Sequence, residues 1–252
     1  DIDFLCERLN AISEEIYKGA SFDFNGKAKT KARNLDNITR WQHILLEQRL
    51  KEKDHKSSSE EELISTWKSA LKEAVSQELK DKIDLIAITK ENFATYKENV
   101  DRIQKEVYEP TRQTSIERFE KCAHSDFGIN LGILIEGKLE AIAFASSLKD
   151  HPLERGIRQD PDFTNPKALY MIDTTVTKEL QSFGMGRLLK YALTSIAVNR
   201  GYDFIKGRNR DKLAAAMLNI NLSLGSFEQF FLREDYPDFE EYRDVLYYDC
   251  PL

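Results

Sequence analysis

The sequence predicts an α/β (α+β) fold over residues 83–252, preceded by a helical N-terminal region over residues 1–82. Three observations carry that prediction. The texture of the chain changes near residue 83, from helical periodicity alone to alternating helix and strand signals. Two apolar runs, 129–135 and 139–148, are joined by Glu136-Gly137-Lys138, a compact hairpin signal. An apolar run at 168–176 leads through a short polar loop and two glycines directly into a helical pattern at 184–199.

Taken in order, the elements read as follows. Phe4, Leu5, Leu9, Ile12 and Ile16 recur at helical spacing, and Leu35, Ile38, Trp41, Leu45, Leu46 and Leu50 repeat the pattern after a Gly/Lys-rich break at 26–31. Residues 51–62, with Ser57-Ser58-Ser59, are polar and read as a mobile connection. Ser59 and Glu62 have capping-box spacing, and a third helix follows through Trp67, Leu71, Val75 and Leu79. From residue 83 come a β-branched strand (83–89), an amphipathic helix (93–108) stopped by Pro110, a second helix (115–122) and the hairpin. An irregular loop at 149–167 holds three of the six prolines. Strand 168–176, helix 184–199, strand 203–207, helix 212–224 ended by Gly225, and strands 227–232 and 245–249 complete the chain.

Composition narrows the function. The apolar share is 41%, enough for a core, while the net charge of −6 argues against a nucleic-acid backbone as partner, since phosphates demand clustered Lys and Arg. Cys6, Cys122 and Cys250 are odd in number and lack CxxC spacing, so neither a disulfide framework nor a zinc site is expected, and a reducing cytoplasm is the expected compartment. No apolar run approaches the ~20 residues of a membrane helix, and no signal peptide is read, although the chain begins at Asp1 and not at Met. His43, His55, His124 and His151 are scattered without metal-ligand spacing, and no metal is expected. Cys122 and His124 stand too close in sequence for a nucleophile–base pair.

The chemistry concentrates in Gln181-Ser182-Phe183-Gly184-Met185-Gly186-Arg187, which opens the helix at 184. Glycines let main chain approach an anion closely, the first helical N–H groups have no partner within the helix, and its dipole favours negative charge there. A dinucleotide fingerprint fits worse, because residue 189 is Leu where its third glycine belongs, and a Walker A loop is excluded by the lack of Gly-Lys-Ser/Thr. Asp173 is the other unusual residue: a carboxylate in an apolar strand is costly unless it is paired or used.

On Gln181, Gly184 and Gly186, their distance from the strand ending at Val176, and the element order from about residue 83, the chain resembles the GCN5-related N-acetyltransferase superfamily. The resemblance implies a mixed, mostly antiparallel sheet whose fourth strand splays from the fifth. Acetyl-CoA is the implied cosubstrate, with its pantetheine arm bonded by main chain around Thr174, Thr175 and Val176 and an N–H near Val176 polarising the thioester. Gln181, Ser182 and the amides of Phe183, Gly184, Met185, Gly186 and Arg187 are the implied pyrophosphate cradle. Asn209 follows the fifth strand, where the family often sets a polar side chain on the cofactor. Asn221 stands where the family often carries a Tyr that protonates the leaving thiolate, so Ser223, Tyr236 and Tyr242 become candidates for that task. Asp173 matches an Asp of aminoglycoside 6′-acetyltransferases, and a base there has work to do. An alkylamine of pKa near 10 is only about 0.1% neutral at pH 7, a cost of roughly 4 kcal/mol before attack. Glu109 is a lesser base candidate, residues 233–244 offer acids and tyrosines to a cationic amine, and the 149–167 loop is expected to roof the site.

The expected reaction is transfer of acetyl from coenzyme A to a primary amine, favouring a small cationic or amino-acid-like acceptor, with no nucleic acid or membrane as partner and oligomeric state open. Protein or peptide N-acetylation, or a non-catalytic acyl-CoA-binding module, are the alternatives.

Overall fold

A computed structural model describes residues 59–181, 183–210, 215–235 and 244–252. The helices read within 1–58, together with Ser182, Tyr236 and Tyr242, lie outside the described residues. Those described fall in one compact unit, Asp54–Leu252.

Its first helix, α1 (Glu60–Ala74), begins at the capping box read in the sequence: Glu62 N donates to Ser59 Oγ (3.2 Å) and Ser59 N to Glu62 Oε2 (2.8 Å). It buries Leu63, Trp67, Ala70 and Leu71, each large apolar side chain contributing roughly 1.5–3 kcal/mol. The short α2 (Gln77–Lys80) follows. The sequence reading set these helices with the region before residue 83, but α1 packs on strand β1 (Ile83–Ala87) and on helix α5 (Met185–Asn199). Its Glu60 is also tied to Arg200 beyond the end of α5 (2.6 Å).

Helix α3 (Phe93–Val107) is capped by Tyr108 and followed by a 3-10 turn at Pro110–Arg112, as the proline predicts. Helix α4 (Ile116–His124) leads into the hairpin of β2 (Ile129–Ile135) and β3 (Lys138–Ser147). Its turn has positive φ at both Glu136 (53°) and Gly137 (80°), the type I′ geometry whose twist matches that of the strands. Then come β4 (Ala168–Val176), α5, β5 (Phe204–Arg210), α6 (Ala215–Ser223), β6 (Phe227–Leu232) and β7 (Val245–Pro251). β5 runs three residues beyond its predicted end because Arg208, Asn209 and Arg210 pair with Tyr247, Leu246 and Val245. Their polarity disguised them as loop.

The seven strands lie in the order β1-β2-β3-β4-β5-β7-β6, antiparallel throughout except for the parallel pair β4–β5. Helices α3 and α4 cover one face through Phe93, Val100, Ile103 and Phe119. α1 and α5 cover the other. No helix among the described residues is long and apolar enough to cross a membrane.

Candidate active site

The sheet opens between β4 and β5. Their ladder runs only from Ala168↔Phe204 to Met171↔Gly207, while β4 stays paired with β3 out to Ala141↔Val176 and β5 with β7 out to Arg210↔Val245. The two strands therefore part after Met171 and Gly207. At the same point β4 carries a bulge: Phe144 pairs with Asp173 and Ala145 with Met171, leaving Ile172 as the extra residue. Ile172 packs among the α3-side apolar residues, and Asp173 reaches Gln104 of the same helix, so two successive side chains share one face. Thr177 N donates to Glu140 O of β3 (3.0 Å). By alternation along the ladder, the main-chain groups of Val176 and Thr174 face away from β3, into the opening.

The loop after β4 is short. A 3-10 turn, Lys178–Leu180, is followed by Gln181, whose Nε2 donates to Val176 O (3.1 Å), and by exposed Phe183. Gly184 takes φ 84°, a left-handed conformation natural to glycine, as N-cap of α5. Gly184 has no side chain with which to cap this helix start, and the first helical bond is from Leu188 N to Gly184 O (3.0 Å). Met185 anchors the first turn in the core. A Cβ at Gly186 would lie 3.5 Å from Val176 Cγ2, so the helix start rests against the strand end. Arg187 is half-buried on that turn. These features form a helix N-terminus open to an anion. Asn209 and Asn221 are both buried, and Asn209 Nδ2 and both polar atoms of Asn221 have no hydrogen-bond partner among the described residues. Unpaired buried amides of this kind ask for a bound partner.

On the α3 side lies a hydrogen-bonded chain. Asp173, 8% exposed, accepts from Gln104 Nε2 (2.7 Å) and from Thr175 Oγ1. Thr175 Oγ1 also meets the Tyr108 hydroxyl (2.7 Å), and Gln104 Oε1 accepts from Thr114 N (2.9 Å). Burial pushes the Asp173 carboxyl up to about 6, against the hydrogen bonds from Thr175 and Gln104 and the charge of Arg112. Burial, with the neighbouring Asp173 charge, also raises the Tyr108 phenol, which stays protonated. Beside it, Glu109 is held by Arg210 (2.9 Å) and Arg112 (3.6 Å), and Arg112 stacks over the Tyr108 ring (4.7 Å). Burial acts to raise Glu109, but its backbone hydrogen bond and the two guanidiniums outweigh it and hold the carboxyl below its usual range.

Ser223, a candidate acid, lies at the end of α6, where its hydroxyl donates to Ile220 O (2.7 Å) and meets Tyr191 (2.9 Å). The 149–167 loop is pinned to the α3-side face of the sheet. Lys206, fully buried on β5, binds Asp162 (2.8 Å), Asp160 (3.5 Å) and Asp249 (2.6 Å), and Tyr247 donates to Asp160 (2.7 Å). Cys122 meets not His124 but buried Ser146 (3.3 Å) and His151 (3.8 Å). Burial lowers His151 to about 3 and raises the Cys122 thiol to about 11, so this cluster is neutral core packing.

Gln104, Lys190 and Gly207 were missed in the sequence, and each left a signal. Gln104 and Lys190 are polar residues on apolar helix faces, and Gly207 interrupts a strand because a Cβ there would collide with the Tyr248 hydroxyl.

Neither a protein-family model nor a curated protein matches the sequence. Solved structures do match it. The ribosomal-protein-S18-alanine N-acetyltransferase of Escherichia coli is similar over 67% of this chain and 93% of its own, with a TM-score of 0.51 and 18% identity. The loading GNATL domain of CurA from Lyngbya majuscula is similar over 67% and 97%, with a TM-score of 0.51 and 11% identity. With the splayed β4–β5 pair and the glycine-led helix behind it, the chain has the fold of the GCN5-related N-acetyltransferases.

Proposed function

We propose that the chain is an acetyl-CoA-dependent N-acetyltransferase whose acceptor is a small primary amine. The observation that carries this is the opening between β4 and β5, which ends at a glycine-led helix N-terminus. The residues present fit coenzyme A: first-turn amides of Met185, Gly186 and Arg187 for the pyrophosphate, with the Arg187 charge beside them, main-chain groups of Thr174 and Val176 for the pantetheine amides, and the buried Asn209 Nδ2 and Asn221 carboxamide. When bound, acetyl-CoA supplies an acyl group on an activated thioester.

The chain's own residues do the rest. An N–H of Thr174 or Val176 aimed into the opening stabilises negative charge developing on a carbonyl oxygen. Asp173, at about 6, is roughly nine-tenths ionised at pH 7. It attracts an ammonium and receives a proton along Tyr108 and Thr175, whose hydroxyls link it to the half-buried end of α3. An amino-acid-like acceptor is favoured by the mixed charge of that wall, in which Arg112 and Arg210 stand beside Glu109 and Asp173.

The test is release of free CoA thiol from acetyl-CoA mixed with a panel of small amines, amino acids and short peptides. Turnover with small amines supports the reading, and turnover with peptides alone moves the acceptor to polypeptide. Binding of acetyl-CoA with no turnover on any amine refutes the enzyme reading.

A further inference from the structure

Lys190 lies one turn beyond Gly186 on α5 with its side chain inside the protein, 3% exposed. Its Nζ donates to the Tyr248 hydroxyl (2.8 Å) and stands 5.1 Å from the centre of that ring. Tyr248, on β7 and 4% exposed, lies against Gly207, where a Cβ would collide with its hydroxyl. Gly207 is the last β5 residue that pairs with β4, so the phenol marks the point where the opening begins. Asn221, buried beside the same hydroxyl, also acts on it through its carboxamide. Packing alone does not ask for a lysine here: burying an ammonium costs several kcal/mol, and an apolar side chain would fill the space.

We infer that Lys190 and Tyr248 form the proton source for the thiolate released at the fork of β4 and β5, an inference that rests on the acyl-transfer reading. An ammonium only donates, so the phenol oxygen accepts from Lys190 and its own O–H is left to donate onward. As the amine nitrogen bonds to the carbonyl carbon and the C–S bond breaks, sulfur takes the proton of Tyr248. Tyr248 takes one from Lys190, and Lys190 is recharged from water. The surplus proton of the amine leaves on the other face, through Tyr108 and Thr175 to Asp173. Burial brings Lys190 down to about 7, below the roughly 8.5 of an ordinary thiol, so the relay runs downhill to sulfur. Burial also raises the phenol, which keeps Tyr248 a carrier and Lys190 the acid. Among the described residues, the Cys250 thiol on β7 also faces the pair, and the Tyr170 phenol on β4 acts on Tyr248 from the other side of the sheet.

Two measurements decide it. The first uses CoA alone, following the ultraviolet absorbance of its thiolate when bound to the full chain. Below pH 7, where Lys190 carries its charge, bound CoA is expected to hold about tenfold more thiolate than in Lys190→Met. Equal acidity in both proteins overturns the inference. The second uses acetyl-CoA with the amine panel. Tyr248→Phe and Lys190→Met are expected to lower kcat about 100-fold with the Kd for acetyl-CoA unchanged, and Lys190→Met is expected to lose the alkaline fall of kcat. Unchanged kcat in both overturns it. Should Tyr248→Phe fail to fold around an unpartnered ammonium, the double variant with Lys190→Met removes both partners and restores a matched interior. A wild type that binds CoA and acetylates no amine counts against the proposed function, while the thiol titration still decides the proton source.

Discussion

Replacing Asp173 by Asn separates the cost of this carboxylate from its use. The side chain is buried, and its carboxyl rises from the ordinary 3.8 to about 6. At about 1.4 kcal/mol per pH unit, that rise amounts to about 3 kcal/mol. Because the folded protein holds the proton more tightly than the unfolded chain, the stabilising contribution of the neutral form is complete below pH 3.8. It is lost as pH rises through about 6. Wild type at neutral pH therefore carries a penalty that Asp173→Asn does not. The amide can accept from Gln104 and donate to Thr175, whose hydroxyl then turns toward Tyr108, so the network survives. Urea unfolding from pH 3 to 7 is expected to show the variant gaining about 3 kcal/mol relative to wild type across that range. Steady-state turnover at pH 7 is expected to fall about 100-fold, with loss of the acidic limb of kcat/KM near pH 6. A variant that keeps full turnover at neutral pH would refute the reasoning, whatever its stability.

Three further outcomes are expected. Gly184→Ala forces a Cβ onto a residue at φ 84°, costing about 1 kcal/mol and distorting the first amides of α5. Calorimetric titration should show CoA binding weakened by about fivefold or more, about 1 kcal/mol. Gly207→Ala drives a methyl into the Tyr248 hydroxyl and should cost about 1–3 kcal/mol in urea unfolding. Lys206→Met strips the buried counter-ion from Asp160, Asp162 and Asp249 and should cost about 3–5 kcal/mol at pH 7. Part of that loss should return as pH falls through the carboxylate range, read as a rising melting temperature.

Local order was legible in the sequence wherever one segment carried its own signal. The Ser59–Glu62 cap, the positive-φ turn at Glu136-Gly137 and the strand–glycine–helix unit each depend on residues a few positions apart. The strand order was not legible, nor were pairs that meet only after folding. Gln104 and Asp173 lie far apart in sequence, as do Lys190 and Tyr248, and periodicity reports that a residue is buried without naming what it is buried against. The end of β5 was hidden for a related reason: Lys206, Arg208 and Arg210 look solvated, yet each is matched by acids from other segments. Helix α1 was assigned to the preceding region because its partners, β1 and α5, follow it in the chain.

The bulge at Ile172 has a consequence for how this strand tolerates length changes. Everything up to Met171 belongs to an ordinary ladder, and everything after Ile172 is one step out of phase with it. Deleting a single residue there would leave the interior before it intact. With the extra residue gone, Met171 and Asp173 would follow in regular alternation opposite Ala145 and Phe144, so the acid would still face α3; only a deletion after Asp173 would exchange the two sides of the strand's last stretch. The parity of the stretch from Asp173 to Val176 keeps the carboxylate and the valine that meets Gly186 on opposite sides of the sheet.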